Sequence, residues 1–309
     1  RLLIVDGRLT VGSRLHSERA LADALRVSRT TVTAAFTQLR DDGYLNARRG
    51  ARSTTALPAR PRDIAQAGTP AVNLAEAALS APSASVLEAF TDAGRDITPY
   101  LKESGHELIG VGSLRAAIAE RYCARGLQTD PSQIMVTSGA QHAIGLILAT
   151  HTQPGDRVLV EQPTYHGALS AISTAGARAV PVALTDDGWE LDAVHAAIRQ
   201  LAPSLAYLIP DNHNPTGFTL PADDRKRLGQ IISDTRTCTI VDESIVDMWM
   251  DREPPEPLAT HVGRQDLVLT VGSMSKSFWG GLRVGWIRAE RSTLATIAAI
   301  RPSVDLRPR

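Results

Sequence analysis

An apolar run, Leu267–Val271, leads into Ser273-Met274-Ser275-Lys276 and then into Gly280-Gly281-Leu282-Arg283, and the reading of this stretch decides the fold. A short β-branched run of this kind reads as a buried strand. A lysine just beyond such a strand can form a Schiff base with an aldehyde cofactor when its surroundings favour the neutral amine. Arg283 can then grip a phosphate in a forked, charge-assisted contact, and Ser273 and Ser275 offer hydroxyls to the same group. Taken alone, Lys276 reads as a surface-loop lysine.

Four upstream features change its meaning. Thr137-Ser138-Gly139-Ala140-Gln141 follows one strand and opens a helix, where small residues let backbone N–H groups approach a phosphate. Pro163-Thr164-Tyr165 puts an aromatic face at the end of the next strand, able to stack on a pyridine ring or to serve as ordinary core packing. His213-Asn214-Pro215-Thr216-Gly217 follows Ile209-Pro210, so that Asn214 can donate to a ring oxygen. Asp242 closes Thr239-Ile240-Val241; a carboxylate there can keep a pyridine nitrogen protonated, and an isolated one more often caps a helix. The order of phosphate turn, aromatic, Asn-Pro, Asp, then Lys and Arg is what packing alone does not explain.

Ile134–Val136, Val158–Val160, Ala179–Val182, Ala206–Ile209, Thr239–Val241 and Leu267–Val271 read as buried strands, and Asp192–Leu201 and Ala222–Ser233 as helices between them. Alternation of this kind predicts an α/β domain with a mostly parallel sheet over residues 71–309 and ligands at the carboxyl ends of the strands. Before it, residues 56–70 contain Pro58, Pro61 and Pro70 with little apolar periodicity, a linker composition. Residues 1–55 form a separate head. Net charge is zero, yet residues 1–60 hold eleven arginines, no lysine and five acids, a net +6 against −6 for the remainder. That division suggests a head that meets a polyanion, or a solvated Arg-rich surface. Cys123 and Cys238 suggest neither a disulfide framework nor a metal site and read as small buried hydrophobes in a reducing cytoplasm. The longest apolar run, Ala143–Ala149, is far short of a membrane span. The chain opens without Met on Leu2-Leu3-Ile4-Val5, like a helix entered midway, so a fragment is expected.

In the head, Ser17 is placed to cap a helix with Leu21 and Leu25 on one face, and Ser28 to cap a second in which Val32, Phe36 and Leu39 point inward. Arg29, Thr30 and Thr33 are left outside near the start of that second helix, the part a helix-turn-helix presents to the major groove of double-stranded DNA. Ser28 belongs to the same DNA-facing end. Arg48-Arg49-Gly50-Ala51-Arg52 reads as a basic wing for phosphate or minor-groove contact.

The stretch LHSERALADALRVSRTTVTAAFTQLRDDGYL resembles the winged helix-turn-helix of GntR regulators over about fifty residues, departing after Gly50, where that family has Gly-x-Gly-aromatic and this chain has Ala51-Arg52-Ser53-Thr54. The body, over about residues 70–300, resembles the large domain of fold-type I aminotransferases. The two together resemble the MocR subfamily. The resemblance implies pyridoxal 5'-phosphate as cofactor, with Lys276 as its covalent anchor, Asp242 at the pyridine nitrogen, Asn214 at the ring oxygen and Tyr165 stacked on the ring. Ser138, Gly139, Ala140, Ser273, Ser275 and Arg283 fall at phosphate positions. It implies a cytoplasmic homodimeric regulator that senses an amino acid or amine, rather than an enzyme; the alternative is an aminotransferase with an appended DNA-binding domain. Three departures stand against the pattern. Glu243, Ser244 and Ile245 occupy the place of a tyrosine that usually follows the Asp, and His106 stands where a phosphate-reaching tyrosine is common. Relatives also continue into a small C-terminal domain bearing a carboxylate-binding arginine, a task that Arg301, Arg307 and Arg309 cannot be assigned.

Overall fold

A computed structural model describes residue 9 and residues 12–46, 52–56, 77, 80–102, 105, 107–251 and 253–305. The chain divides into two compact units, Arg1–Glu76 and Ala77–Arg309. In the first, helix α1 (Glu18–Leu25) starts where the Ser17 hydroxyl accepts the Ala20 N–H at 3.2 Å, and it ends at Arg26 in the left-handed region, φ 53°. Helix α2 (Arg29–Asp41) is capped by Ser28, which accepts the Thr31 N–H at 3.1 Å. Each serine satisfies a backbone donor that the first turn leaves without an acceptor.

Val32 and Phe36, one turn apart, are buried together with Ala22 and Leu45, and Leu21 and Leu39 pack at their margin. Leu25 departs from expectation, being 63% exposed. Leu25 lies on the same side of α1 as the buried Ala22, three residues on, but in the final turn beside the left-handed Arg26. Strand β1 (Leu45–Asn46) pairs antiparallel with β2 (Thr54–Thr55). A third segment joins them: the Gly12 N–H donates to Thr55 O at 2.8 Å and the Leu15 N–H to Ser53 O at 2.9 Å. Arg48 and Arg49 lie outside the described residues.

In the second unit, β3 (Ile134–Thr137), β4 (Arg157–Gln162), β5 (Arg178–Thr185), β6 (Gly188–Trp189), β7 (Leu205–Leu208), β8 (Thr239–Asp242), β9 (Val268–Ser273) and β10 (Gly285–Arg288) form one sheet in the order β3-β10-β9-β8-β7-β4-β5-β6. The pairs β9–β8, β8–β7, β7–β4 and β4–β5 are parallel. β10 is antiparallel to both neighbours, so β3 runs in the direction of β9. The fold is α/β with a mostly parallel sheet, as the alternation predicts.

Successive residues of each strand enter opposite cores. Ile134, Leu159, Ala206, Leu208, Val241 and Val268 pack against α4 (Gly112–Ala124), α7 (Leu191–Leu201) and α8 (Ala222–Thr235). Met135, Val158, Val160, Leu205, Tyr207, Ile240 and Leu269 pack against α5 (Ala140–His151), α6 (His166–Thr174) and α9 (Arg291–Asp305). Helix α3 (Ser83–Asp96) contributes no buried residue to either.

The strand read as buried at Ala179–Val182 is buried on one face alone: Val182 is covered, while Ala179 and Pro181 are exposed. It lies next to the edge, beyond which stands the two-residue β6. Cys123 and Cys238 are half-buried rather than buried. The Cys123 thiol pairs with the Thr129 backbone at 3.3–3.4 Å. Among the described residues no helix is long and apolar enough to cross a membrane.

The head core is small, so each member carries much of it. Phe36→Ala should cost about 3–5 kcal/mol, read as a lowered denaturant midpoint for the head; an unchanged midpoint would contradict this packing.

Candidate functional site

Strands β3, β4, β7, β8 and β9 all end at one edge of the sheet, and their loops enclose a cleft of about 280 Å³. Ala140, Tyr165, Asn214, Asp242, Ser273, Ser275, Lys276 and Arg283 line it. Ser138 and Gly139 form the turn against Arg283, whose Nη2 donates to the Ser138 carbonyl at 2.9 Å. Gly139 has φ 94°, and a Cβ on it would lie 3.2 Å from that same Nη2, so the guanidinium rests on the bare turn. All ten residues expected at a cofactor from the sequence are thus brought around one cleft.

The β9–β10 connection explains the meeting of Lys276 and Arg283 with the β3 turn. β10 returns between β9 and β3, pairing Gly285 with Ser273 on one side and Thr137 on the other. The connection therefore lands over the start of α5. Lys276 sits in a single π-helical turn, Ser275–Trp279, and its Nζ donates to the Ala77 carbonyl. The Ser273 hydroxyl accepts the Ser275 N–H at 3.1 Å, which leaves its own hydrogen for another acceptor.

Asp242 is buried, with both oxygens engaged: Oδ2 accepts the Tyr207 hydroxyl at 2.7 Å and Oδ1 the Ser244 N–H at 2.8 Å. Burial first, and the Asp242 charge second, push the Tyr207 phenol well above its ordinary value, so it remains a donor. Tyr165 stands half-buried at the start of α6, its phenol likewise raised by burial and then by Asp242. Its ring lies on Gly167, where a Cβ would come 2.4 Å from Cζ.

Asn214 is exposed on a loop anchored by its neighbour. His213 is buried, its Nε2 3.2 Å from Glu161 Oε2 and its Nδ1 2.9 Å from the Thr216 hydroxyl. Glu161 also accepts the Trp189 indole N–H at 2.7 Å and the Ile209 N–H at 2.9 Å. One buried carboxylate therefore ties the ends of β4 and β7 to the Asn214 loop.

Sequence reasoning missed Glu161 and Tyr207, which hold the lining from below, and Gln141, Ile209 and Gly280, which line it. A signal for Glu161 was available: a charged residue directly after the apolar run Val158–Val160 needs donors where the strand carries it inward. Of the three residues in the place of the usual tyrosine, Ser244 and Ile245 line the cleft. Glu243 pairs instead with Arg125 at 2.8 Å; burial pushes its carboxyl up while Arg125 pulls the other way. Arg301 is a backbone staple, donating to the Leu108 and Val136 carbonyls at 2.6 and 2.7 Å. His106, Arg307 and Arg309 lie outside the described residues.

In the head, Ser28, Arg29, Thr30 and Thr33 are exposed at the start of α2, and Arg52 is exposed at the described edge of the wing. All three of these hydroxyls already have partners. Ser28 Oγ is 2.7 Å from the Thr30 and Thr31 hydroxyls, and the Thr33 hydroxyl donates to Glu18 at 2.7 Å.

Glu161→Ala would strand two buried donors at once, the Trp189 indole and the Ile209 N–H. The expected cost is about 3 kcal/mol, measured as a lowered denaturant midpoint of the body; a cost near zero would contradict the network.

Residues 69–304 match the family described as Aminotransferase class I and II, and residues 1–54 match Bacterial regulatory proteins, gntR family. The chain is 29% identical to an uncharacterized HTH-type transcriptional regulator of Bacillus subtilis (strain 168), YisV, over 98% of this chain and 68% of that protein. It is 28% identical to the "Probable rhizopine catabolism regulatory protein MocR" of Rhizobium meliloti, over 93% of this chain and 63% of that one. Among solved structures, LysN, the α-aminoadipate aminotransferase of Thermus thermophilus complexed with N-(5'-phosphopyridoxyl)-L-leucine, superposes with TM-score 0.62 at 30% identity, covering 74% of this chain and 59% of that one.

Proposed function

Because this chain belongs to the class I and II aminotransferase family and carries a gntR-family head before that body, in the MocR order, we propose that it is a DNA-binding transcription regulator whose body binds pyridoxal 5'-phosphate and senses an amino compound. The observation that carries this reading is the single cleft shared by Lys276, Asp242 and Arg283. An amine, a carboxylate and a guanidinium are the partners wanted by an aldehyde, a pyridine nitrogen and a phosphate.

The cradle fits the group. Arg283, the Ser273 and Ser275 hydroxyls and the turn Ser138–Ala140 would hold the phosphate, at the start of a helix whose first N–H groups lack intrahelical acceptors. Asp242, fixed by Tyr207 and Ser244, would keep the ring nitrogen protonated. Asn214 would meet the ring oxygen, and Tyr165 would cover a ring face. Bound there, the cofactor supplies an aldehyde that amines capture and a ring that withdraws electrons. Sensing by Lys276 requires an effector's amine to take the place of its own. It reaches the head only if two conformations bind the effector unequally.

In the head, Arg29, Thr30 and Thr33 would face base edges, Ser28 would fix the start of their helix, and Arg48, Arg49 and Arg52 would face phosphates of double-stranded DNA. A homodimer acting in the cytoplasm would read paired half-sites. Transamination is the second reading; the regulatory one is favoured because relatives spanning both segments are named as regulators.

Adding pyridoxal phosphate to the purified wild type should produce a visible absorption band that Lys276→Ala loses, and a wild type without the band overturns the cofactor reading. Arg29→Ala should weaken binding to the specific operator by about tenfold; unchanged affinity and sequence preference would overturn the assignment of the recognition helix.

A further inference from the structure

The turn after β3 is gripped from two sides. Arg283 holds the Ser138 carbonyl, and the Ser138 N–H donates to Nδ1 of His142 at 3.1 Å. His142 is the third residue of α5, the position from which a side chain can reach back to the entering backbone. Its Nε2 lies 2.8 Å from Asp305 Oδ1. Asp305 Oδ2 accepts from Arg301 Nε at 2.7 Å, and Arg301 is the residue stapled to the Leu108 and Val136 carbonyls. A continuous run of polar contacts thus joins α9 to the turn.

The partners fix the tautomer. Nδ1 accepts a backbone N–H and so carries no hydrogen; in the neutral ring the one hydrogen is on Nε2, which lies 2.8 Å from Asp305 Oδ1 without the alignment of a hydrogen bond. Protonation would set N–H against N–H at Ser138. Among the described residues, the charged groups around the ring are Asp305 and Arg301 from α9 and Arg283 from the β9–β10 connection. Burial, the largest influence, holds His142 below the ordinary imidazole value; Arg301 and Arg283 add to this, and Asp305 opposes it.

We infer that His142 is a positioning residue for the phosphate of the cofactor: its neutral Nδ1 takes the Ser138 amide, leaving the Gly139 and Ala140 amides as the turn's phosphate donors. The inference rests on the cofactor reading above and adds a requirement to it, that His142 be uncharged for the turn to keep its shape. Affinity for a phosphorylated pyridoxal is therefore acid-sensitive through a residue that does not touch the ligand. The sign for stability is the same. A depressed imidazole stabilises the fold above the ordinary imidazole value, and that contribution is lost as pH falls through the lowered one. His151, also depressed by burial, adds a background common to wild type and His142 variants.

The test is to titrate wild type, His142→Gln and His142→Leu with pyridoxal phosphate between about pH 5 and 8, following quenching of tryptophan fluorescence. Gln keeps an acceptor and has no proton to gain, and comparison at equal pH cancels the ligand's own titration. Near the alkaline end, the Gln variant should bind within about twofold of wild type and the Leu variant about fivefold more weakly, the effect of one lost hydrogen bond. On acidification, wild type should lose affinity relative to the Gln variant. Equal binding by all three, or wild type and Gln tracking each other through the acid range, overturns the inference while leaving the cofactor reading intact. Ring-nitrogen NMR of the cofactor-free protein supplies a check independent of binding: a hydrogen on Nδ1 at neutral pH overturns the inference. A wild type that binds no cofactor at any pH overturns the cofactor reading and this inference with it.

Discussion

β10 runs antiparallel between β9 and β3, and its first residue, Gly285, is pressed so closely on the turn after β3 that a Cβ would lie 2.6 Å from the Gly139 carbonyl carbon. The rest of the cleft depends on this approach. Two backbones in contact have no side chain to act as a compliant spacer, so the turn, the Lys276 loop and the Arg283 grip share one position. Without β10 in that slot, β3 and β9 would have no common partner, and the arginine would not reach the Ser138 carbonyl.

Around that contact the protein buries several carboxylates, and hydrogen-bond donors offset part of the cost. Asp242 has a phenol and a backbone amide; Glu161 has an indole and a backbone amide, with the His213 imidazole 3.2 Å away; Glu243 has Arg125 on one oxygen. Hydrogen-bonded pairs in a low-dielectric interior are directional, so they fix loop positions in a way apolar packing does not. Each of these groups sits at or just past the end of a strand, where the regular ladder gives out and geometry must come from side chains.

The layered α/β body and the cleft were legible in the sequence for a common reason: buried parallel strands are short apolar runs, and each chemically suggestive residue falls immediately beyond one. Lys276, Asp242, Asn214 and Tyr165 were found from that adjacency. Tyr207 was passed over because it lies inside a strand, where a hydrophobic reading absorbs it, and Glu161 because it falls just after the apolar run Val158–Val160. β10 was missed because Gly285-Trp286-Ile287-Arg288 carries a glycine and a buried arginine, whose guanidinium is satisfied by Gln265 at 2.7 Å, a partner distant in sequence. The half-exposure of β5 and of Leu25 depends on where sheet and helix end, which local pattern does not encode. The contact between Thr33 and Glu18 joins two helices and has no signature within either.

The support beneath Tyr165 has a consequence of its own. Its phenol end lies against Gly167, where a methyl would overlap ring carbons, so the ring bears on main chain and not on a deformable side chain. Its height above the floor of the cleft is set by the start of α6, as a shelf is set by its bracket. Substitutions among the surrounding apolar residues then retune the protein's stability while the clearance above the ring keeps the same thickness.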